Sequence, residues 1–228
     1  MTKTLRRAGR LAGGLAAGAA LVELGYLART WYRYGKPPSR PNRLLDPFLP
    51  QPDIAERHRT RVGAPAELTW AAAQDLDLGR SRLVRAVFRG RELMMRGTRS
   101  PHRSPRPFLE QALDLGWVVL AEEPGQGMAL GAVTRPWESD VQFEGVAPER
   151  FREFSEPRYV KIAWTLQVDP LGAETSEFLT ETRAAATDEE ARTRFRRYWA
   201  MVSPGVVLIR RAMVHQVRAE AERRFAGR

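Results

Sequence analysis

The sequence predicts an α+β fold, a curved antiparallel sheet with a long C-terminal helix laid across it. Three observations predict it. Val160, Ile162, Trp164, Leu166 and Val168 alternate with Lys161, Ala163, Thr165 and Gln167, the period of a strand with one apolar face. A threonine-rich strand pattern, Glu174 to Thr187, follows the turn residues Asp169-Pro170-Leu171-Gly172. From Asp188 almost to the end, Phe195, Trp199, Val202, Val206, Ile209 and Met213 recur at helical steps of three and four.

The chain opens on a basic arm. Nine of its 37 basic residues but only one of its 27 acidic ones, Glu23, lie in residues 1–43, so the body is nearly balanced. A nucleic-acid-binding domain carries its positive footprint on its folded surface, and no nucleic-acid partner is expected here. Leu11 to Ala28 is apolar except for Glu23. At ~1.5 Å per residue it reaches roughly 27 Å, just short of a ~30 Å hydrocarbon core. Its leucines and Val22 favour insertion by ~2–3.6 kcal/mol, and a central carboxylate opposes by a similar ~2.5–3.5 kcal/mol, a cost that falls toward the helix end where Glu23 lies. Trp31, Tyr32 and Tyr34 among Arg29, Arg33 and Lys36 have the composition of an interfacial belt. The reading is a membrane-associated chain with one N-terminal anchor, residues 11–36 making the contact. Basic residues flank the run almost equally, so the orientation is not set.

Pro37, Pro38, Pro41, Pro47, Pro50 and Pro52 preclude a continuous helix, and residues 37–53 read as an extended linker. The division is therefore an arm over 1–36, the linker, and a domain over 54–228. In the domain, Ile54 to Val62 suits a charged edge strand, and Gly63-Ala64-Pro65 ends it. Pro65 opens a helix over Ala66 to Gln74. Leu83 to Met95 is a second helical pattern, Thr98 to Pro107 a loop, and Phe108 to Leu115 a short helix closed by Gly116. Trp117 to Glu123 and Met128 to Trp137 are strands joined by Pro124-Gly125-Gln126-Gly127. Pro148 opens another short helix. Asp188, Glu189 and Glu190 suit the positive end of the final helix dipole, and Ser203-Pro204-Gly205 should kink or split that helix.

This order of elements resembles the START-like helix-grip superfamily, the polyketide-cyclase and Bet v 1-like group. The stretch Arg57 to Asp77, with Val62-Gly63-Ala64-Pro65-Ala66-Glu67 at its centre, is similar to that group's opening strand, Ala-Pro and helix. Leu130 to Trp137 and Phe178 to Arg183 are similar to segments of bacterial members. The resemblance covers roughly residues 54–225 and implies a sheet curled round the last helix, with a hydrophobic cavity between them. Five strand candidates stand where a complete member has about six or seven.

The function expected is binding of an apolar or amphipathic small molecule, lipid-like or polyketide-like, in that cavity near a membrane. A cyclase- or hydrolase-type enzyme on the same fold and a ligand-free interaction protein are the alternatives. Trp117, Trp137 and Trp164 are candidate lining residues, although large aromatics also simply fill cores. Glu181 and Arg183 share one face of their strand with Leu179 and Ala185 and are the candidate polar anchor. Glu181 is also the least unsuitable acid or base, and no catalytic residue is assigned. His58, His102 and His215 lack metal-ligand spacing, so neither metal nor cofactor is expected. The absence of cysteine excludes disulfides and thiolate chemistry. Asp75 and Asp77 read as helix caps.

Overall fold

A computed structural model describes residues 25, 28–31, 34, 36, 40–78 and 106–227. Six antiparallel strands form one sheet: β1 (Ile54–Val62), β2 (Val118–Glu123), β3 (Gly127–Thr134), β4 (Phe143–Glu144), β5 (Val160–Gly172) and β6 (Thr175–Ala186). The helices are α1 (Ala66–Gln74), α2 (Phe108–Asp114), α3 (Pro148–Phe151) and α4 (Glu189–Ala226). The patterns at 83–95 and 98–105 lie outside the described residues.

The strand order is β1-β6-β5-β3-β2, with β4 paired to the end of β3. Hairpins bring β2 to β3 and β5 to β6, and the first strand closes against the last, Ile54 opposite Ala184 and Val62 opposite Ser176. The chain then enters α4, whose start is capped by Asp188 accepting from the Ala191 amide at 2.7 Å. The helix crosses β1 and β6 and rests against α1. This is the helix-grip architecture.

Register sorts the side chains. Val160, Ile162, Trp164, Leu166 and Val168 on β5 share the α4 side with Phe178, Thr180, Thr182 and Ala184 on β6 and with Ile54, Glu56, His58 and Val62 on β1. On that side Trp164, Leu130, Leu166, Phe178 and Trp70 pack with Met213, Val217 and Ala221 of α4. A separate cluster joins Ile54, Val160 and Ala184 to Phe195 and Trp199 nearer the start of the helix.

The opposite face of the sheet is also covered. Residues 42–49 coil into turns on Asn42, whose Oδ1 accepts from the Leu44 and Leu45 amides. They press Leu44, Leu45 and Leu49 onto Leu120, Ala129, Val133, Ala163 and Phe151 of α3. The expected extended linker is thus, over residues 42–53, a strap belonging to the domain. Prolines forbid a long helix there, but three leucines need only turns to reach the sheet. Two covered faces explain why every residue of β3 is buried.

Three expectations change in detail. β4 is two residues long, too short to leave a period in the sequence. The turn expected at 169–172 falls at Ala173-Glu174 instead, because β5 continues through Gly172 with an irregular register at Pro170. Proline is tolerated there because β3 stops opposite Gln167, so that end of β5 has a neighbour only in β6. Ser203-Pro204-Gly205 does not split α4, which is one helix of 38 residues with Pro204 inside it. Asp75, read as a helix cap, stands at the C-terminal cap of α1.

Gly116, which closes α2, has φ of 96°, and a Cβ there would meet the Phe143 carbonyl oxygen at 2.2 Å. Gly116→Ala is expected to destabilise the fold by more than ~1 kcal/mol in denaturant unfolding, because neither the dihedral nor the backbone oxygen can yield cheaply.

Candidate functional site

The predicted site residues separate into three places. Trp164 is buried on the α4 side of β5, and Trp117, just ahead of β2, meets it edge to face with ring centroids 5.9 Å apart. Trp137 follows β3 and borders a different spot, an open hollow of about 410 Å³ with Arg194, Arg197, Tyr198 and Met201 of α4. Glu181 and Arg183 lie on the far side of the sheet from α4.

That last pair does not sit on a solvated face. Glu181 and Arg183 are 1% and 0% exposed, buried by the strap. Arg183 Nε donates to Glu181 Oε1 at 2.8 Å, and its Nη1 reaches the Leu49 carbonyl at 2.8 Å and Asp46 Oδ1 at 2.7 Å. The other carboxylate oxygen accepts from Arg57 Nε at 2.6 Å and Asn42 Nδ2 at 3.0 Å, and Arg57 Nη2 also pairs with it. Asn42 donates to Gln167 Oε1 as well, at 2.8 Å. Two guanidinium groups and two carboxylates thus balance, and both Glu181 oxygens are occupied. This network fastens the strap; it is not an anchor inside the grip, and Glu181 is not placed to act as acid or base there. Beside it lies an open groove of about 830 Å³ edged by Arg40, Arg43, Arg59, Asp169 and Glu177.

Inside the grip, the apolar packing between sheet and α4 is interrupted. The buried stripe of α4 runs Ala191, Phe195, Trp199, Ser203, Arg210, Met213, Val217 and Ala221, so two polar side chains fall between its two apolar clusters. Arg210 is only 8% exposed. Its Nη1 donates to Thr180 Oγ1 at 3.2 Å and approaches Met213 Sδ at 3.6 Å. Its guanidinium carbon lies 5.4 Å from the centre of the Trp164 ring. Burial alone pushes the Arg210 pKa down to about 10, which leaves it a cation at neutral pH. On the same side of the sheet, His58 Nε2, Thr182 Oγ1 and, on α4, Ser203 Oγ are buried without a hydrogen-bond partner among the described residues. Buried polar atoms are rarely left so. His58 faces Thr180, the partner of Arg210, across the β1–β6 pair, and Thr182 is two residues further along β6 on the same face. Ser203 is one heptad before Arg210 on the helix.

Burial, with Arg210 and Arg211 nearby, lowers the His58 pKa below its usual 6.5. The unfolded chain therefore takes up this proton first as pH falls. The contribution of a neutral His58 is held above about pH 6.5 and lost as the pH drops toward the lowered folded value. Melting temperatures between about pH 5 and pH 7 should fall more steeply with acid in the native chain than in His58→Gln.

Sequence reasoning passed over Arg210 because α4 has many arginines and most are exposed. The signal was available: Arg210 stands four residues after Val206 and three before Met213, on the apolar stripe itself.

No family model matches the chain, and no curated protein matches it. Among solved structures it is similar to the di-domain ARO/CYC protein BexL, with 15% identity, TM-score 0.30, and coverage of 74% of this chain and 46% of that one. The chain thus spans less than half the length of BexL. It is also similar to a conserved protein from Geobacillus kaustophilus, with 12% identity, TM-score 0.37, and 75% and 96% coverage. A START superfamily protein from Mycobacterium smegmatis has 12% identity, TM-score 0.25, and 72% and 98% coverage. Likeness this distant carries no argument about ligand or chemistry. The fold class, a helix grip, is read from the strand order and the docked helix of the chain itself.

Proposed function

We propose that this chain binds an apolar or amphipathic small molecule in the seam between the sheet and α4, close to a membrane. The observation that carries the reading is the break in that seam. Two apolar clusters flank a short polar span whose buried atoms lack partners within the described protein. Ligand sites combine mostly apolar walls with a few convergent polar groups of this kind. The binding event is burial: an apolar portion leaves water or lipid for the walls formed by Trp164, Met213 and Trp199, and polar groups fix its orientation.

The membrane part rests on the arm. Among the described residues no helix is long and apolar enough to cross a membrane, and the run Leu11–Ala28 lies outside them except for Gly25 and Ala28. Two aromatic residues after it dock on the body. Arg196 of α4 stacks on Trp31 at 3.8 Å and donates to its carbonyl, and Tyr34 donates to the Arg192 carbonyl at 3.2 Å. What supports the reading is that this docking would hold a membrane-bound arm beside the first half of α4, where Trp137 and Met201 border the smaller hollow.

Native mass spectrometry of the purified full chain, followed by organic extraction, tests the binding reading. An apolar compound carried through purification, or uptake of the neutral dye N-phenyl-1-naphthylamine with a rise in its fluorescence, is the expected result. Neither retained compound nor dye uptake would remove it. Flotation with phospholipid vesicles tests the arm: the full chain should float and a chain beginning at Arg40 should not.

A further inference from the structure

The break in the seam is not merely polar; it is cationic, and among the described residues its charge is unmatched. A guanidinium offers five N–H donors, yet the partners of Arg210 among the described residues are one hydroxyl, one thioether and one ring face. None is an anion. Glu56 shares the α4 side of β1 and has interactions of its own, and none of the ion pairs between described residues includes Arg210. By contrast, Arg183, equally deep on the other face, is held by both Glu181 and Asp46. A desolvated charge without a counter-charge is among the least favourable arrangements in a protein interior. His58, kept neutral by burial, adds a ring nitrogen to the same level without adding a second cation. Thr182 and Ser203 add hydroxyls that can donate.

We propose that Arg210 is the receptor for an anionic head group, so that the ligand of the seam is an amphipathic anion: a carboxylate or phosphate paired with the guanidinium, with an apolar tail along the clusters on either side. The planar fork of arginine suits both head groups bidentately. Thr180 and His58 flank the same level of the sheet, and the Trp164 ring lies against the cation. This proposal rests on the binding reading above and narrows it to one chemical class.

The test compares dodecanoate, dodecyl phosphate and dodecanol on the full chain. Each displaces N-phenyl-1-naphthylamine, with intrinsic tryptophan fluorescence, and its change on Trp164→Phe, as a second signal. Dodecanoate or dodecyl phosphate should bind at least about tenfold more tightly than dodecanol. The tighter of the two identifies the head group. Arg210→Met should erase that advantage while leaving dye binding within about twofold, because the apolar walls remain. The same variant should melt no lower than the native chain, since an apolar side chain of similar length replaces a lone buried charge. Arg210→Lys, which keeps the charge and loses the fork, should retain part of the advantage. Equal binding of anion and alcohol, with the dye still bound, overturns the head-group assignment and leaves the apolar seam standing. Failure of all three compounds and the dye removes the seam itself.

Discussion

Glu181→Ala is expected to cost roughly 3–5 kcal/mol of folding stability, enough to lower the melting temperature by roughly 10 °C in a chain of this size. The size of the effect follows from what is left behind. Arg183 would remain fully buried with Asp46, which is 41% exposed, as its remaining counter-charge. Arg57 and Asn42 would lose their shared acceptor as well. Glu181→Leu combined with Arg183→Met should cost clearly less than the two single changes added together, because removing both charges avoids stranding either. Asp46→Asn should matter by no more than about 1 kcal/mol, as that carboxylate is largely in water. Urea unfolding of the five variants (Glu181→Ala, Glu181→Leu, Arg183→Met, the double change and Asp46→Asn) gives all the terms. Additive costs would show that the pair does not act as a unit.

The second large effect is expected from where the chain is cut. A chain beginning at Arg40 should lose roughly 1–2 kcal/mol and melt several degrees lower, since Trp31 is exposed but Tyr34 is half-buried against Phe195. A chain beginning at Ile54 should lose its cooperative transition. It would expose the apolar face formed by Leu120, Ala129, Val133, Ala163 and Phe151, and strip Arg183 of Asp46 and the Leu49 carbonyl. Leu45→Ala, at a side chain with no exposed surface, is the point-mutant version and should cost roughly 2–5 kcal/mol. Circular dichroism melts separate these outcomes. A stable, cooperative 54–228 fragment would return the strap to the status of a linker.

The two parts of the molecule that dominate these predictions were legible to different degrees. Local punctuation marked the elements well: Gly63-Ala64-Pro65 separates β1 from α1, and Pro124 to Gly127 separates β2 from β3. Period-two alternation put Glu181 and Arg183 on one face together. It could not say which face, because Leu179 and Ala185 share it and are as apolar as the residues turned toward α4. The strap was hidden by its prolines, which signal extension, whereas Leu44, Leu45 and Leu49 have no helical or strand period to show that they are buried. Arg210 was hidden by company, one arginine among many on a helix whose exposed side is full of them. In both cases the deciding fact was long-range, which piece of chain lies over which face of the sheet, and local pattern does not carry that. Aromatic identity was equally indecisive: Trp117 and Trp164 meet, while Trp137 belongs elsewhere.

The most direct test of the central claim is photo-crosslinking with a diazirine-bearing dodecanoate, followed by residue-level peptide mapping. The seam account predicts adducts on side chains turned toward α4, such as Thr182 on β6 and Ser203 or Met213 on the helix. Adducts confined to the other face, at Arg40, Arg43, Arg59 or Glu177 around the open groove, would contradict it.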